Sequence, residues 1–285
     1  MATTPTYAKT YTIGGDLTVN RLGYGAMRIT GPGIWGPPQD HDESIRVLQR
    51  AVELGINFID TADSYGPNVS EELIAEALIP YPSGLVVATK GGLLRTGPNQ
   101  WPIDSSPKHL EEALHGSLKR LKVEQIDLYQ LHRVDPNVPF EDTLKFLQRA
   151  QNEGLVKHIG LSEVDVDQIK KAQEFVPIVS VQNMYSVDNR KWEPVLDYTR
   201  EQNMAFIPWY PLAGGNAEAL KALDQVAQKH GVTQQQIALS WLLHHSPNIL
   251  LIPGTSKVNH LEENVKTADI ALSEEDMATL DKVGK

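Results

Sequence analysis

Short apolar runs alternate with amphipathic stretches of helical period along almost the whole chain, and this alternation restricts the fold more than any single motif. The runs "INFID", "LVVATK", "IDLYQLH", "VKHIGLS", "IVSVQN", "MAFIPW" and "NILLIP" are each short enough for one strand. Several are β-rich and apolar on successive residues, the pattern of parallel strands covered on both faces. Between them, "DESIRVLQRAVELG" places Ile45, Leu48 and Val52 on one face and ends at Gly55. "SPKHLEEALHGSLKRL" has Pro107 in its first turn and aligns Leu110, Leu114, Leu118 and Leu121, as a crossover helix would. Similar stretches lie at 140–153, 165–174, 192–202, 217–230 and 258–267, and "TQQQIALSWLL" opens with a capping box, Thr233 with Gln236. With "RLGYGAM" as the first strand, the tally is about eight β–α units. Without a long linker, composition shift, internal repeat or low-complexity tract, they predict one α/β domain, a (β/α)8 TIM barrel spanning 1–285, rather than two doubly wound halves. "YTIGGDLTVN", two alternating runs around Gly14 and Gly15, predicts an N-terminal β-hairpin before the barrel, with 1–9 a loose tail.

Composition narrows the partners. A net charge of −10 with no run of like charges argues against nucleic acid or an anionic membrane as the main partner. With no cysteine there is neither a disulfide framework nor a thiolate metal site, so redox chemistry requires a bound cofactor. The opening "MATTPTYAKTYTIGG" has no apolar signal core, and no stretch approaches the roughly 20 apolar residues of a membrane span. The expectation is a cytoplasmic protein acting on small molecules, for which a monomer is compatible.

In a TIM barrel the chemistry sits at the carboxyl ends of the strands. Asp60 closes the second strand in "FIDTADSYG", with Tyr65 on the loop above it, and Lys90 and His132 end the third and fourth. One charged residue at a strand end is as often a solvated boundary as a site. Acid, phenol, ammonium and imidazole facing one rim make that reading much weaker. A phenol is a poor acid at neutral pH, but a nearby ammonium favours the phenolate and lowers its pKa. Lys90 would supply the ammonium, Asp60 would hold Lys90 charged and oriented, and His132 would position a carbonyl oxygen. Such a set delivers a proton for carbonyl reduction and needs a hydride from elsewhere.

"FIDTADSYG", "VVATKGG", "DLYQLHRVDP", "GLVKHIGLS", "VQNMYS", "PWYPLAGG" and "IPGTSKVNHLEEN", in this order, resemble the aldo-keto reductase superfamily over nearly the whole chain. The resemblance implies a TIM barrel, an extended nicotinamide cofactor, and Asp60, Tyr65, Lys90 and His132 as the catalytic tetrad. It also implies that Ser162, position 163 and Gln182 hold the nicotinamide carboxamide. Glu163 stands where the family has Asn, and an ionised carboxylate cannot donate to the carboxamide oxygen. Trp209 takes the place of the usual stacking Tyr, with Tyr210, Pro211 and Leu212 continuing along the pyrophosphate. For the adenosine end, Ser256, Lys257 and His260 are implied at a 2′-phosphate and Glu263 and Asn264 at the adenine. The family's Lys and Arg at that phosphate are replaced by Gly254 and His260, which predicts a moderate preference for NADPH over NADH. Tyr24, Trp35 and Trp101 fall in or near loops that wall the family's substrate pocket, and they would suit a flat aldehyde. "RLGYGAM", "GPGIWGPP" and "SPNILLIPGTS" look most like a bacterial branch near the pyridoxal reductases, which places pyridoxal among the candidate carbonyl substrates.

Two other classes compete. Some barrels of this family are regulatory or sensor subunits that bind the nicotinamide with little turnover, but no apolar docking helix is evident here. A metal-dependent isomerase or hydrolase would need converging ligands, and Lys90 beside Asp60 and His132 would repel a cation. No metal is expected.

Overall fold

The chain enters through an antiparallel hairpin, β1 (Thr10–Ile13) and β2 (Leu17–Asn20), turned at Gly14 and Gly15. Both glycines have positive φ, +61° and +87°, which a side chain would disfavour. The computed structural model describes residues 7–212 and 216–284. Residues 1–6, the end of "PWYPLAGG" at 213–215, and 285 lie outside the described residues.

Strand and helix then alternate: β3 (Tyr24–Gly25), α1 (His41–Glu53), β4 (Phe58–Asp60), α2 (Val69–Leu78), β5 (Val86–Gly91), α3 (Pro107–Leu121), β6 (Ile126–Leu131) and α4 (Phe140–Asn152). The order continues through β7 (Val156–Ser162), α5 (Val166–Gln173), β8 (Ile178–Gln182), α6 (Glu193–Glu201), β9 (Ala205–Phe206), α7 (Ala217–His230), α8 (Gln234–His245), α9 (Val258–Val265) and α10 (Glu274–Asp281). Strands β3 to β9 form one parallel sheet in chain order. The "NILLIP" run closes it through bridges rather than a long ladder: Ile249 pairs with Phe206 on one side and Leu251 with Leu22 on the other. The fold is thus the predicted barrel, its eighth position a three-residue stretch.

Period-2 alternation divides each strand between two layers. Phe58, Val86, Ala88, Leu128, Ala205, Ile207 and Leu250 make an apolar cluster inside the barrel, joined from below by Ile13 and Val19 of the hairpin. Ile59, Tyr129, Leu131, Ile159, Leu161, Val181 and Phe206 pack outward against the helices. Pro107 starts α3 with Ser106 as its cap, and the capping box at Thr233 and Gln236 starts α8, both as predicted.

Three features differ from the sequence reading. Helix α2 fills the β4–β5 crossover, where no helix was expected; Asn68 before it is left-handed and gives no side-chain cap, so the usual start signal is missing. Helix α10 was likewise not anticipated, although Ser273 and Asp276 form a capping box. The third concerns the tail: Tyr7 to Lys9 are tied to the barrel. Tyr7 donates to Ala268 O at 2.8 Å, and Arg21 N donates to Lys9 O at 2.9 Å.

Arg21, 1% exposed, pins this base. It donates to Ile249 O at 2.9 Å, Ala8 O at 3.1 Å, Leu243 O at 3.0 Å and Ser246 O at 2.5 Å, linking the tail, α8 and the closing stretch. Arg21→Met should therefore lower stability by about 3 kcal/mol, because buried carbonyls lose a charged donor. A urea-unfolding shift below about 1 kcal/mol would show that these carbonyls find other partners.

Candidate active site

The residues above the inner apolar cluster are the next inward positions of the same strands. Asp60 follows Phe58, Lys90 follows Ala88 and Gln130 follows Leu128, each by two. Asp60 is 2% exposed and Lys90 0%. Lys90 Nζ donates to Asp60 Oδ2 at 2.6 Å and to Thr61 O at 2.8 Å. The other oxygen, Asp60 Oδ1, accepts from Gln130 Nε2 at 3.1 Å and Gln182 Nε2 at 2.9 Å. Burial disfavours the ammonium, but Asp60 and Tyr65 outweigh it, and the Lys90 pKa is raised.

Tyr65 hangs over this pair from the loop after β4. Lys90 Nζ lies 5.3 Å from its ring centroid, and the rings of His132 and Trp101 meet it edge-on at 5.9 and 6.4 Å. Here the structure corrects the expected pKa direction. Burial raises the Tyr65 pKa, and Lys90 only pulls part of that back, so the resting group is a neutral phenol. His132 is 6% exposed; burial first, then Lys90 and Arg133, push its pKa well below the usual histidine range. A neutral imidazole results, with Nδ1 3.5 Å from Ser64 Oγ.

A second acid of the "FIDTADSYG" block, Asp63, is buried behind the loop. Burial, then Glu71, pushes its pKa up to about 8. Glu71 itself is fully buried and accepts from Thr89 Oγ1 and Arg120 Nε, both at 2.6 Å.

On the side implied for the cofactor, Ser162, Glu163 and Trp209 come together around a residue not anticipated from sequence, Arg133. Its Nη1 donates to Ser162 Oγ at 2.9 Å and to His132 O at 2.6 Å, and its guanidinium lies 5.6 Å from the Trp209 ring. The signal was its place immediately after His132. Glu163 is left-handed, at φ 54°, and its carboxylate accepts from Met184 N at 2.5 Å and Trp209 Nε1 at 2.7 Å. The carboxylate thus holds the indole in place. Gln182 turns its amide nitrogen to Asp60. Tyr210 is 58% exposed, while Pro211 and Leu212 are half-buried beside it.

Farther out, Gly254, Lys257, His260 and Glu263 are exposed, and Ser256 and Asn264 half-buried, around the start of α9. Exposed Arg28 joins them: a Cβ on Gly254 would meet its Cγ at 3.5 Å. At this helix start Val258 N donates to the Glu43 carboxylate of α1 at 3.1 Å.

Tyr24 does not line the pocket as expected. It is fully buried, its hydroxyl donating to Thr255 O at 2.6 Å. Trp35 and Trp101 flank the guanidinium of Arg95 at 5.5 and 3.7 Å. Among the described residues, no group of three or more His, Asp or Glu is placed to hold a metal, and no helix is long and apolar enough to cross a membrane.

The family model described as "Aldo/keto reductase family" matches residues 21–285. An uncharacterized oxidoreductase of Schizosaccharomyces pombe is 56% identical, covering 95% of this chain and 89% of its own. Pyridoxine 4-dehydrogenase of Escherichia coli is 42% identical, covering 98% and 99%. A thermostable aldo-keto reductase solved with the inhibitor epalrestat superposes with a TM-score of 0.85 at 31% identity, covering 96% of this chain and 99% of that one. Barrel, rim chemistry and these matches agree: the chain belongs to the aldo/keto reductase family.

Proposed function

We propose that the protein is an NADPH-dependent reductase of aldehydes or ketones, with pyridoxal or another aromatic aldehyde as candidate substrate. One domain, 1–285, does this work in the cytoplasm. The observation that carries the reading is Tyr65 poised over a buried Lys90–Asp60 pair. The pyridoxine 4-dehydrogenase relative supports the pyridoxine–pyridoxal couple, since the two directions share one site.

Tyr65 starts as a neutral phenol, able to donate its proton to the carbonyl oxygen. Lys90 stabilises the phenolate left behind, an interaction that strengthens as charge develops. Asp60 keeps Lys90 protonated, and Gln130 and Gln182 keep Asp60 in place. His132, neutral, orients the carbonyl oxygen beside the Tyr65 hydroxyl. Bound reduced nicotinamide would supply the hydride. The residues present fit such a cofactor: Ser162 and Arg133 would hold the carboxamide, Trp209 would offer a ring face, and Lys257, Arg28, Ser256 and His260 would meet a phosphate.

Tyr65→Phe should lower carbonyl reduction by roughly 10²–10⁴-fold while leaving NADPH affinity nearly intact, as loss of a general acid does. Retained turnover in stopped-flow assays would remove Tyr65 from that role.

The NADPH preference should be moderate because the Glu43 carboxylate already caps α9 near Lys257. Ratios of kcat/KM for NADPH and NADH should fall in Lys257→Ala and rise in Glu43→Gln. Equal use of both cofactors by the unmodified protein would take the 2′-phosphate away from this segment.

Glu163→Ala should weaken NADPH binding roughly tenfold, about 1.4 kcal/mol, by freeing the Trp209 indole. An unchanged Kd by fluorescence titration would mean that backbone contacts alone hold Trp209.

A further inference from the structure

We propose that Arg95 is the positioning residue of the substrate pocket, a clamp that joins three rim loops into one wall and sets Trp101 edge-on against Tyr65, so that the site selects flat aromatic carbonyls. The selectivity rests on the function proposed above; the clamp itself rests on geometry.

The guanidinium engages backbone carbonyls of all three loops. Nη1 donates to Ile34 O at 2.5 Å, in the loop after β3, and to Ser64 O at 2.9 Å, in the loop that carries Tyr65. Nη2 donates to Gly33 O at 2.9 Å and Gly97 O at 3.2 Å, and Nε to Gln100 O at 3.0 Å. Its Cζ lies 3.7 Å from the Trp101 ring centroid and 5.5 Å from that of Trp35. A planar fork with five donors matches this arrangement, and an ammonium does not.

The loops need such a tie. Ile34, a β-branched residue, sits at φ 55°, as does Asn99 in the third loop. A left-handed β-branched residue is strained and persists only where its surroundings hold it. Arg95 holds the Ile34 carbonyl directly. Asn99 N adds a bond to Gly33 O at 3.0 Å, and Gly36 N one to Gly66 O at 2.5 Å, so the three loops meet each other as well as the clamp.

Among the described residues, Trp101 is the one ring that touches both Arg95 and Tyr65. A carbonyl carried by a flat ring would lie against that indole, and a small aliphatic aldehyde would gain little from it. Misplacing a pocket wall by about 1 Å can cost roughly 10²-fold in rate.

The test is Arg95→Lys, which keeps the charge, beside Arg95→Ala and Trp101→Leu. Steady-state kinetics with NADPH would compare pyridine-4-carboxaldehyde with propanal. In all three variants the kcat/KM ratio of aromatic to aliphatic aldehyde should fall roughly tenfold or more, mainly through KM for the aromatic substrate, with NADPH affinity little changed. Hydrogen exchange should show residues 31–36 and 97–101 losing protection together in both Arg95 variants. An unchanged substrate ratio, an equal loss for both aldehydes, or unchanged exchange at 31–36 would overturn the proposal. If the unmodified protein reduced no aldehyde with NADPH, the reductase reading and the selectivity resting on it would fall, while exchange at 31–36 would still decide whether Arg95 clamps the loops.

Discussion

An ammonium and a carboxylate 2.6 Å apart, both sealed from solvent, are what the rest of the barrel is arranged to hold. Withdrawing two such ions from water costs several kcal/mol each, and close pairing offsets it only when the remaining donors and acceptors are also met. Gln130 and Gln182 donate hydrogen bonds to the second carboxylate oxygen, and Thr61 O accepts one from the ammonium. These groups come from β4, the turn after it, β5, β6 and β8, so the pair is satisfied only when the sheet has closed on itself. Residues proposed for chemistry are therefore also part of what joins the strands. Losing one partner would leave the other charge buried, at about 3–5 kcal/mol.

On the side proposed for the cofactor, the Glu163 carboxylate is engaged in bonding. A left-handed residue after β7 directs its side chain back to the β8 loop, and Glu163 uses that direction to grip Met184 N and the Trp209 indole. Arg133 sits close enough for its charge to matter to Glu163, Tyr65 and His132 alike. Glu163 and Trp209 thus work as a pair, an acid acceptor for an indole donor.

Much of this was legible in the residues because it follows from period alone. Two-residue alternation carries Phe58 to Asp60, Ala88 to Lys90 and Leu128 to Gln130, which is why an acid and an amine at strand ends could be placed on one rim. What escaped depends on where long side chains turn. Arg95 lies in an irregular loop, and its bonding partners are backbone carbonyls, which leave no trace in sequence. Gln182 faces Asp60 across the barrel, a pairing 122 positions apart. Tyr24 has the same alternation as its neighbours, but it falls on the outer layer. The Tyr65 pKa direction was missed because Lys90 was visible in the sequence whereas the depth of burial was not.

The hairpin before the barrel changes what kind of container the fold is. Ile13 and Val19, fully buried, stop its lower end against Phe58, Val86 and Leu128. The floor of the barrel is thus apolar and filled, while Asp60, Lys90, Tyr65 and His132 sit at the opposite end of the strands. On the proposed mechanism, the proton and the carbonyl compound would therefore reach Tyr65 from the rim side.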